Sequence, residues 1–459
     1  MTRIISHTDA GDAGFAPEGD GLSNARALQR AVDRGGTISV TRPGTYDIAA
    51  TVYLGSHTSL TFGSGVVLRK VPERGEFTHV LLNRGALRRE RDTGIRIEGL
   101  HLRVNGVDRS RGEVYGLNGQ IAFFGVRDLR IERFRCEDLG RRQFAIHVCS
   151  FEDLTIEDVV IQGDKDGVHL GRGRRFAIRH GVFRTHDDAV ALNAHDYATS
   201  NPELGWIEDG VVEDCHDLAE AEGTEPRGYF CRILAGAWID WRAGMEVQHS
   251  DTVISDGRLY RVQARPDGTV YTSETRPTHT RGAQVLDGIN WGMVQDEAIY
   301  TAGVRNVVFR DIFLHNPRTS FSVHFDGDRH SRSYYPGAIV PVQQQIRLDG
   351  VRVLHDGPAP LVEVTTPVDC IDLSHCRLGR GGLWFRERSA LREYGRTAIN
   401  MNACTFTNAE AMILLRNDAP GKRIKLRTAA STVIDETFSA EVQAGPGDVV
   451  VDSDLPRPG

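Results

Sequence analysis

One recurring pattern limits what this chain can fold into more than any other feature. Apolar residues, or glycine, stand at i, i+2, i+5 and i+7. They do so at Leu60, Phe62, Gly65 and Val67; at Ile95, Ile97, Leu100 and Leu102; at Leu129, Ile131, Phe134 and Cys136; at Leu154, Ile156, Val159 and Ile161; and at Phe176, Ile178, Gly181 and Phe183. After a gap the pattern resumes at Val307, Phe309, Ile312 and Leu314; at Ile346, Leu348, Val351 and Val353; at Ile371, Leu373, Cys376 and Leu378; and at Ile399, Met401, Cys404 and Phe406. Each alternating pair reads as a short strand with one buried face, and the odd step between pairs reads as a bend. Starts lie 25 residues apart from Leu129 to Leu154, 22 from Leu154 to Phe176, and 28 from Ile371 to Ile399. Longer intervals, such as Ile95 to Leu129, require loop insertions. A single coil of this kind cannot bury its own apolar row, so neighbouring coils must do it. The prediction is an all-β, right-handed parallel β-helix. A β-sandwich would also show alternation, but it has no reason to repeat the bend.

A solenoid also suits the length, since 459 residues exceed an ordinary compact domain. Residues 21–35 read as a helix, with Leu22, Ala25, Leu28 and Ala31 on one face, Ser23 or Asn24 as cap, and Gly35-Gly36 as stop. Such a helix is expected to close the N-terminal end of the stack. Between 229 and 297 the repeat breaks into shorter strands with Asp-Gly turns at 256–257, 267–268 and 287–288. Trp238, Trp241, Tyr260, Tyr271 and Trp291 gather there. This predicts a small inserted antiparallel β-domain with most of these rings as its core; any left exposed would suit sugar stacking. The expected plan is therefore 1–228 for cap and first coils, 229–297 for the insert, 298–437 for further coils, and 438–459 for a loosely ordered tail.

A net charge of −7 gives no basic stripe, which argues against a nucleic-acid partner. No run approaches a membrane span, so no membrane partner is expected. The opening MTRIISHTDAGDAGF lacks the apolar core of a signal peptide. The expected location is cytoplasmic, or extracellular if a leader was trimmed. Seven cysteines with no CxxC pair point to buried free thiols, not to a disulfide framework or a zinc site. No cofactor is called for. The oligomeric state stays open, a homo-oligomer included.

The chemistry gathers in residues 163–197, GDKDGVHLGRGRRFAIRHGVFRTHDDAVALNAHDY. Asp164 and Asp166 precede one strand-like run; Asp187 and Asp188 precede the next. From Asp166 these two lie 21 and 22 positions on, about one coil, which stacks the clusters on one face. Cleaving a glycosidic bond needs one carboxyl protonated and another ionised. Crowded carboxylates cannot all ionise at their ordinary values, which separates those roles. A lone Asp at a strand start also caps turns, and a lone His beside a strand usually satisfies a hydrogen bond. His169, His186 and His195, with Asp164 and Asp196, are candidates to orient a carboxylate or bind a sugar hydroxyl. The loop 321–337, FSVHFDGDRHSRSYYPG, adds His324, Asp326, Arg332 and Tyr334 as candidate substrate-binding residues.

These residues resemble the polygalacturonase-like glycoside hydrolases of family 28, which have the pectin-lyase-like β-helix fold and the signature Asn-Thr-Asp followed by Asp-Asp one coil on. Asp164-Lys165-Asp166 stands in place of the first element and Asp187-Asp188 is the second, followed by AVALNAHDY. The family's Gly-His-Gly is absent one coil later. Its carboxylate-binding Arg-Ile-Lys occurs only at Arg423-Ile424-Lys425, far too late in the chain. The Asp-Asp pair combined with a β-barrel insert also resembles the α-1,3-galactosidases of family 110. The resemblance implies an inverting hydrolase of oligo- or polysaccharides, with Asp187 as acid, Asp166 and Asp188 holding the water, and carboxyl groups widely spaced. The missing Arg-Ile-Lys favours a neutral sugar. An insert walling off the groove favours exo-action on short chains. Two alternatives remain: a calcium-dependent polysaccharide lyase or epimerase using the acids plus Arg179, Arg184 or Arg310, and a non-catalytic glycan-binding β-helix.

Overall fold

The computed structural model describes residues 7–456 apart from 74, 76, 110–112, 198–199, 221–222, 226, 329, 388–394 and 408–410. The chain is almost wholly β and forms a parallel β-helix. It divides into two compact units, Met1–Ala191 with Gly210–Gly228, and Leu192–Asp209 with Tyr229–Gly459.

In the first unit, strands one coil apart pair in parallel and in register. Ile95 pairs with Leu129, Leu129 with Leu154, and Leu154 with Phe176. The second strand of each coil does likewise: His101–Arg103 pairs with Arg135–Leu139, which pairs with Val160–Gly163, which pairs with Val182–Thr185. The odd step has a backbone cause. Gly99, Arg133, Asp158 and His180 lie at i+4 of their coils, and each has a φ between 52° and 75°. A single left-handed residue turns the chain, so the next apolar side chain points inward after three residues instead of two. Asp and Gly accept that conformation readily; Arg and His accept it at a cost.

Eight of the nine four-residue sets line the interior as expected. The first does not. Leu60 pairs with Ile97, not Ile95, and the buried residues beyond the bend are Val66 and Leu68, not Gly65 and Val67. Leu68 pairs with Leu102, so the chain from Leu60 to Leu68 is three residues longer than from Ile97 to Leu102, and the extra length lies around Gly63-Ser64. The helix forms as Gly21–Val32, but Asp20 caps it, accepting from the Ser23 backbone N–H at 2.8 Å. Ser23 and Asn24 are already inside the helix. Asn24 is buried and ties back to Ala16 and Gly19.

In the second unit, Val304–Arg310, Gln344–Asp349, Cys370–Ser374, Arg396–Asn402 and Arg423–Ala429 pair in turn in parallel. Cys231–Leu234 also belongs to a coil, since it pairs in parallel with Phe321–His324. The inserted strands begin after it, antiparallel except where Ile239–Asp240 pairs in parallel with Thr252–Ser255. Ile239–Asp240, Thr252–Ser255, Arg258–Val262, Ile289–Gln295 and Ala283–Leu286 make a five-stranded sheet. Trp238, Tyr260 and Trp291 are fully buried in this region and Trp241 nearly so, which makes them core. The expected loose tail instead holds two strands, Ser439–Gln443 and Asp448–Asp452, that continue the stack. All seven cysteines are free, and only Cys370 is partly exposed. No helix among the described residues is long and apolar enough to cross a membrane.

Candidate functional site

Two consecutive coils of the first unit build the acidic cluster. Ile146 pairs with Val168, and Gly167 N–H donates to the Asp188 carbonyl at 2.9 Å. Val168 N–H donates to the Ala189 carbonyl at 3.0 Å, so residues 22 positions apart lie above one another. Asp188 therefore stacks on Asp166, and Asp187 on Lys165. Gly167 allows the close approach: a Cβ there would stand 2.6 Å from the Ala189 carbonyl oxygen.

Each of Asp166, Asp187 and Asp188 offers a carboxylate oxygen within 4.8 Å of the other two. This is tighter than the ~6.5–9.5 Å expected between acid and base of an inverting glycosidase. The expected wide spacing is thus not found in this trio. The reason is geometric, because acids on adjacent coils inherit the ~4.8 Å separation of paired strands. The three differ in access. Asp166 is 2% exposed and Asp188 1%, whereas the Asp187 side chain is 33% exposed.

Their surroundings are specific. His169 Nδ1 lies 2.8 Å from Asp166 Oδ2, and its fully buried ring stacks on Phe144 at 4.0 Å between centroids. His147 meets that ring edge-on at 4.7 Å, and its own Nδ1 accepts from the Asn118 N–H. Lys165 Nζ donates to Asp187 Oδ2 and lies 3.4 Å from Asp166 Oδ1. The Thr185 hydroxyl donates to the Asp187 carbonyl at 3.0 Å, and the Gly228 backbone packs against Asp187. The candidate His169 is thus an orienting partner of Asp166 with no surface for a sugar. Asp164 faces outward and pairs with Arg141 at 3.0 Å, and His186 is half-buried beside the acids in the chain.

The remaining candidates belong to the second unit. His195 is fully buried, and burial pushes its pKa down to about 3. Its Nε2 faces the Thr252 hydroxyl at 3.4 Å. Asp196 is buried too; it accepts from Asn193 Nδ2 and from the Tyr197 N–H, both at 2.7 Å. Arg261, buried as well, donates to the Asp196 and Asn201 carbonyls. His195 and Asp196 therefore fix the loop that follows the strand, and neither offers surface for a sugar. In the 321–337 loop, Asp326 accepts from Arg232 Nη2 at 2.7 and 2.8 Å, with His324 Nε2 at 3.3 Å. Burial would push the Asp326 carboxyl up, but Arg232 and the His324 hydrogen bond outweigh it and hold it far below the ordinary carboxylate range. Arg332 Nε reaches the buried Asp251 at 2.8 Å, while the Tyr334 hydroxyl points to the Ala338 carbonyl at 3.5 Å. Residue 329 lies outside the described residues. Lys165 on Asp187 and Arg232 on Asp326 were not singled out in the sequence. The only signal for Lys165 was its place between two aspartates.

No protein-family model matches the chain, and a search of curated proteins gives no match. Solved structures do resemble it. The catalytic unit of a family 87 α-1,3-glucanase from Streptomyces thermodiastaticus matches at 11% identity and a TM-score of 0.50, covering 99% of this chain and 69% of that one. A family 28 exopolygalacturonase from Yersinia enterocolitica matches at 11% identity and 0.50, covering 99% and 79%. A surface adhesin of Streptococcus pneumoniae matches at 10% identity and 0.45, covering 97% and 93%. At these identities the likeness is one of fold.

Proposed function

We propose that the chain is a glycoside hydrolase that cleaves an oligo- or polysaccharide with inversion, using Asp187 as acid and Asp166 with Asp188 to hold the attacking water. The observation that carries this reading is the carboxylate trio itself: three acids within 4.8 Å, two buried and one open. A carboxylate 1% or 2% exposed cannot reach an anomeric carbon, so Asp166 and Asp188 suit water and not covalent attack. That argues for inversion despite the short spacing. The Asp187 side chain is one-third exposed, which supports it as the acid that protonates a leaving oxygen. The Lys165 ammonium favours the ionised form of Asp187. Lys165 stays on Oδ2 and fixes the carboxyl, which in its acid form gives its proton to the leaving oxygen from Oδ1. Water attacks the anomeric carbon and gives its proton to the Asp166–Asp188 pair; His169 orients Asp166. We further propose exo-action on a neutral sugar, with Asp164 and His186, beside the acids in the first unit, as candidate substrate contacts. A screen of aryl-glycosides and oligosaccharides tests this, with the first product's anomer followed by NMR. Hydrolysis with inverted configuration, lost in Asp187→Asn, is expected; no hydrolysis, or a retained anomer, sinks it. Internal products from a long polymer would sink exo-action.

The same three oxygens also suit one divalent ion, which favours a calcium-dependent lyase or epimerase as second reading. Activity abolished by chelator and restored by calcium would select it.

A further inference from the structure

Lys165 stands where that second reading needs a metal. Its ammonium is hydrogen-bonded to Asp187 and lies 3.4 Å from Asp166, so it engages two of the three carboxylates that any shared ion would bridge. Its stem is held in place. The side chain is only 19% exposed, and Nζ lies 5.6 Å from the centroid of the Phe144 ring, which is itself clamped by His169. The Lys165 backbone sits on the same 22-residue register that stacks it under Asp187, so the contact is set by the coil and not by a mobile surface chain.

We infer that Lys165 is the built-in cation of the carboxylate trio: a positioning residue that fixes the Asp187 carboxyl and occupies the position of a divalent ion. An ammonium supplies the charge needed to hold clustered carboxylates together, as a bound calcium would, but it cannot be chelated away. Its three donors fix an oxygen's direction, whereas a metal would draw all three acids inward. The kinetic part of this inference rests on the hydrolase reading above; the binding part does not.

The test begins with the protein alone. Calcium binding is measured by calorimetry, with terbium luminescence as second probe, on wild type, Lys165→Met and Lys165→Met with Asp188→Asn. Expected is no saturable binding to wild type, a new single site in Lys165→Met in the ~10⁻⁴–10⁻³ M range of weak oxygen-ligand sites, and its loss in the double variant. Wild type binding calcium as tightly as Lys165→Met would overturn the proposal. So would a folded Lys165→Met, judged by an unchanged melting temperature, that gains no site. Lys165→Arg, which keeps the charge, supplies a folded comparison if the Met variant unfolds; it should exclude calcium, and calcium binding to it would also overturn the proposal. On a substrate found by the screen, Lys165→Ala should lose at least about 100-fold in kcat with KM within threefold, and ethylammonium in solution should restore part of it. If Asp187→Asn is inactive while Lys165→Ala is fully active, the hydrolase reading stands and the positioning role falls. If Asp187→Asn is fully active, the hydrolase reading falls, and the calcium measurements still decide the built-in cation.

Discussion

Gly228 backs Asp187: a Cβ on Gly228 would stand 2.5 Å from the Asp187 carbonyl carbon and 2.8 Å from its Cα. The glycine also sits at a φ of +58°. Gly228→Ala thus adds a left-handed alanine, costing about 1–2 kcal/mol, to a contact that only backbone movement relieves. The expected outcome is a lower melting temperature and at least a tenfold loss of kcat, as Asp187 is pushed off its place. Calorimetry and kinetics on one preparation check both.

Asp166→Asn and Asp188→Asn remove groups that no sugar can touch directly. Each should lower kcat by ~10²–10⁴, the range for a positioned acid or base, with KM almost unchanged. Asp187→Asn, at the exposed member, should match them in kcat and also shift KM. Steady-state kinetics on the substrate from the screen separates the two outcomes.

His195 gives a pH dependence with a definite sign. Its folded pKa of about 3 lies below the ordinary 6.5, because burial disfavours the charged ring. The unfolded chain therefore takes up the proton first as pH falls. Stability from this group is full above 6.5 and is lost at about 1.4 kcal/mol per pH unit as the pH drops towards 3. Buried His79 in the first unit, with a folded pKa of about 4, adds to the same slope. Urea unfolding at pH 7 and pH 5 should show the loss, and His195→Gln should flatten it.

Arg232 neutralises Asp326 in a site where both side chains are about one-tenth exposed. Removing one partner of a buried pair leaves the other charge without compensation, typically costing 3–5 kcal/mol. Arg232→Ala should therefore lower the urea midpoint clearly. The double change Arg232→Met with Asp326→Leu should recover much of the loss.

The coil repeat was readable because its interior rows are apolar and its bends recur at one offset. It was missed where the rule held but the residue types did not. Gly210, Val212, Cys215 and Asp217 follow the same four positions, with Asp214 as the left-handed bend. Gly210 occupies its place because the Phe176 ring of the adjoining coil covers it: a Cβ there would meet that ring at 2.1 Å. Buried Asp217 pairs with Phe183, a position read as apolar by default. The coil before Leu60 was hidden differently. Ile38 and Val40 are separated from Tyr46 and Ile48 by the Arg42-Pro43-Gly44 corner, which lengthens the step. At the acidic cluster, spacing located Asp166 and Asp188 because strand register depends on counting residues alone. The burial of His195 and Asp196 was not legible, because chain proximity to the acids says nothing about which way the following loop packs.

The 22-residue step carries one more consequence. Elsewhere the chain absorbs extra residues between coils, as in the 34 positions from Ile95 to Leu129. From Asp166 to Asp188 there is no such slack: strand, bend, strand and turn use up the whole interval. A one-residue insertion anywhere in it would leave both aspartates present in the sequence yet set them on opposite faces of the ladder. For this protein, then, the reading frame of the coil is itself a component of the site, as easily damaged by a miscounted residue as by a missing carboxyl.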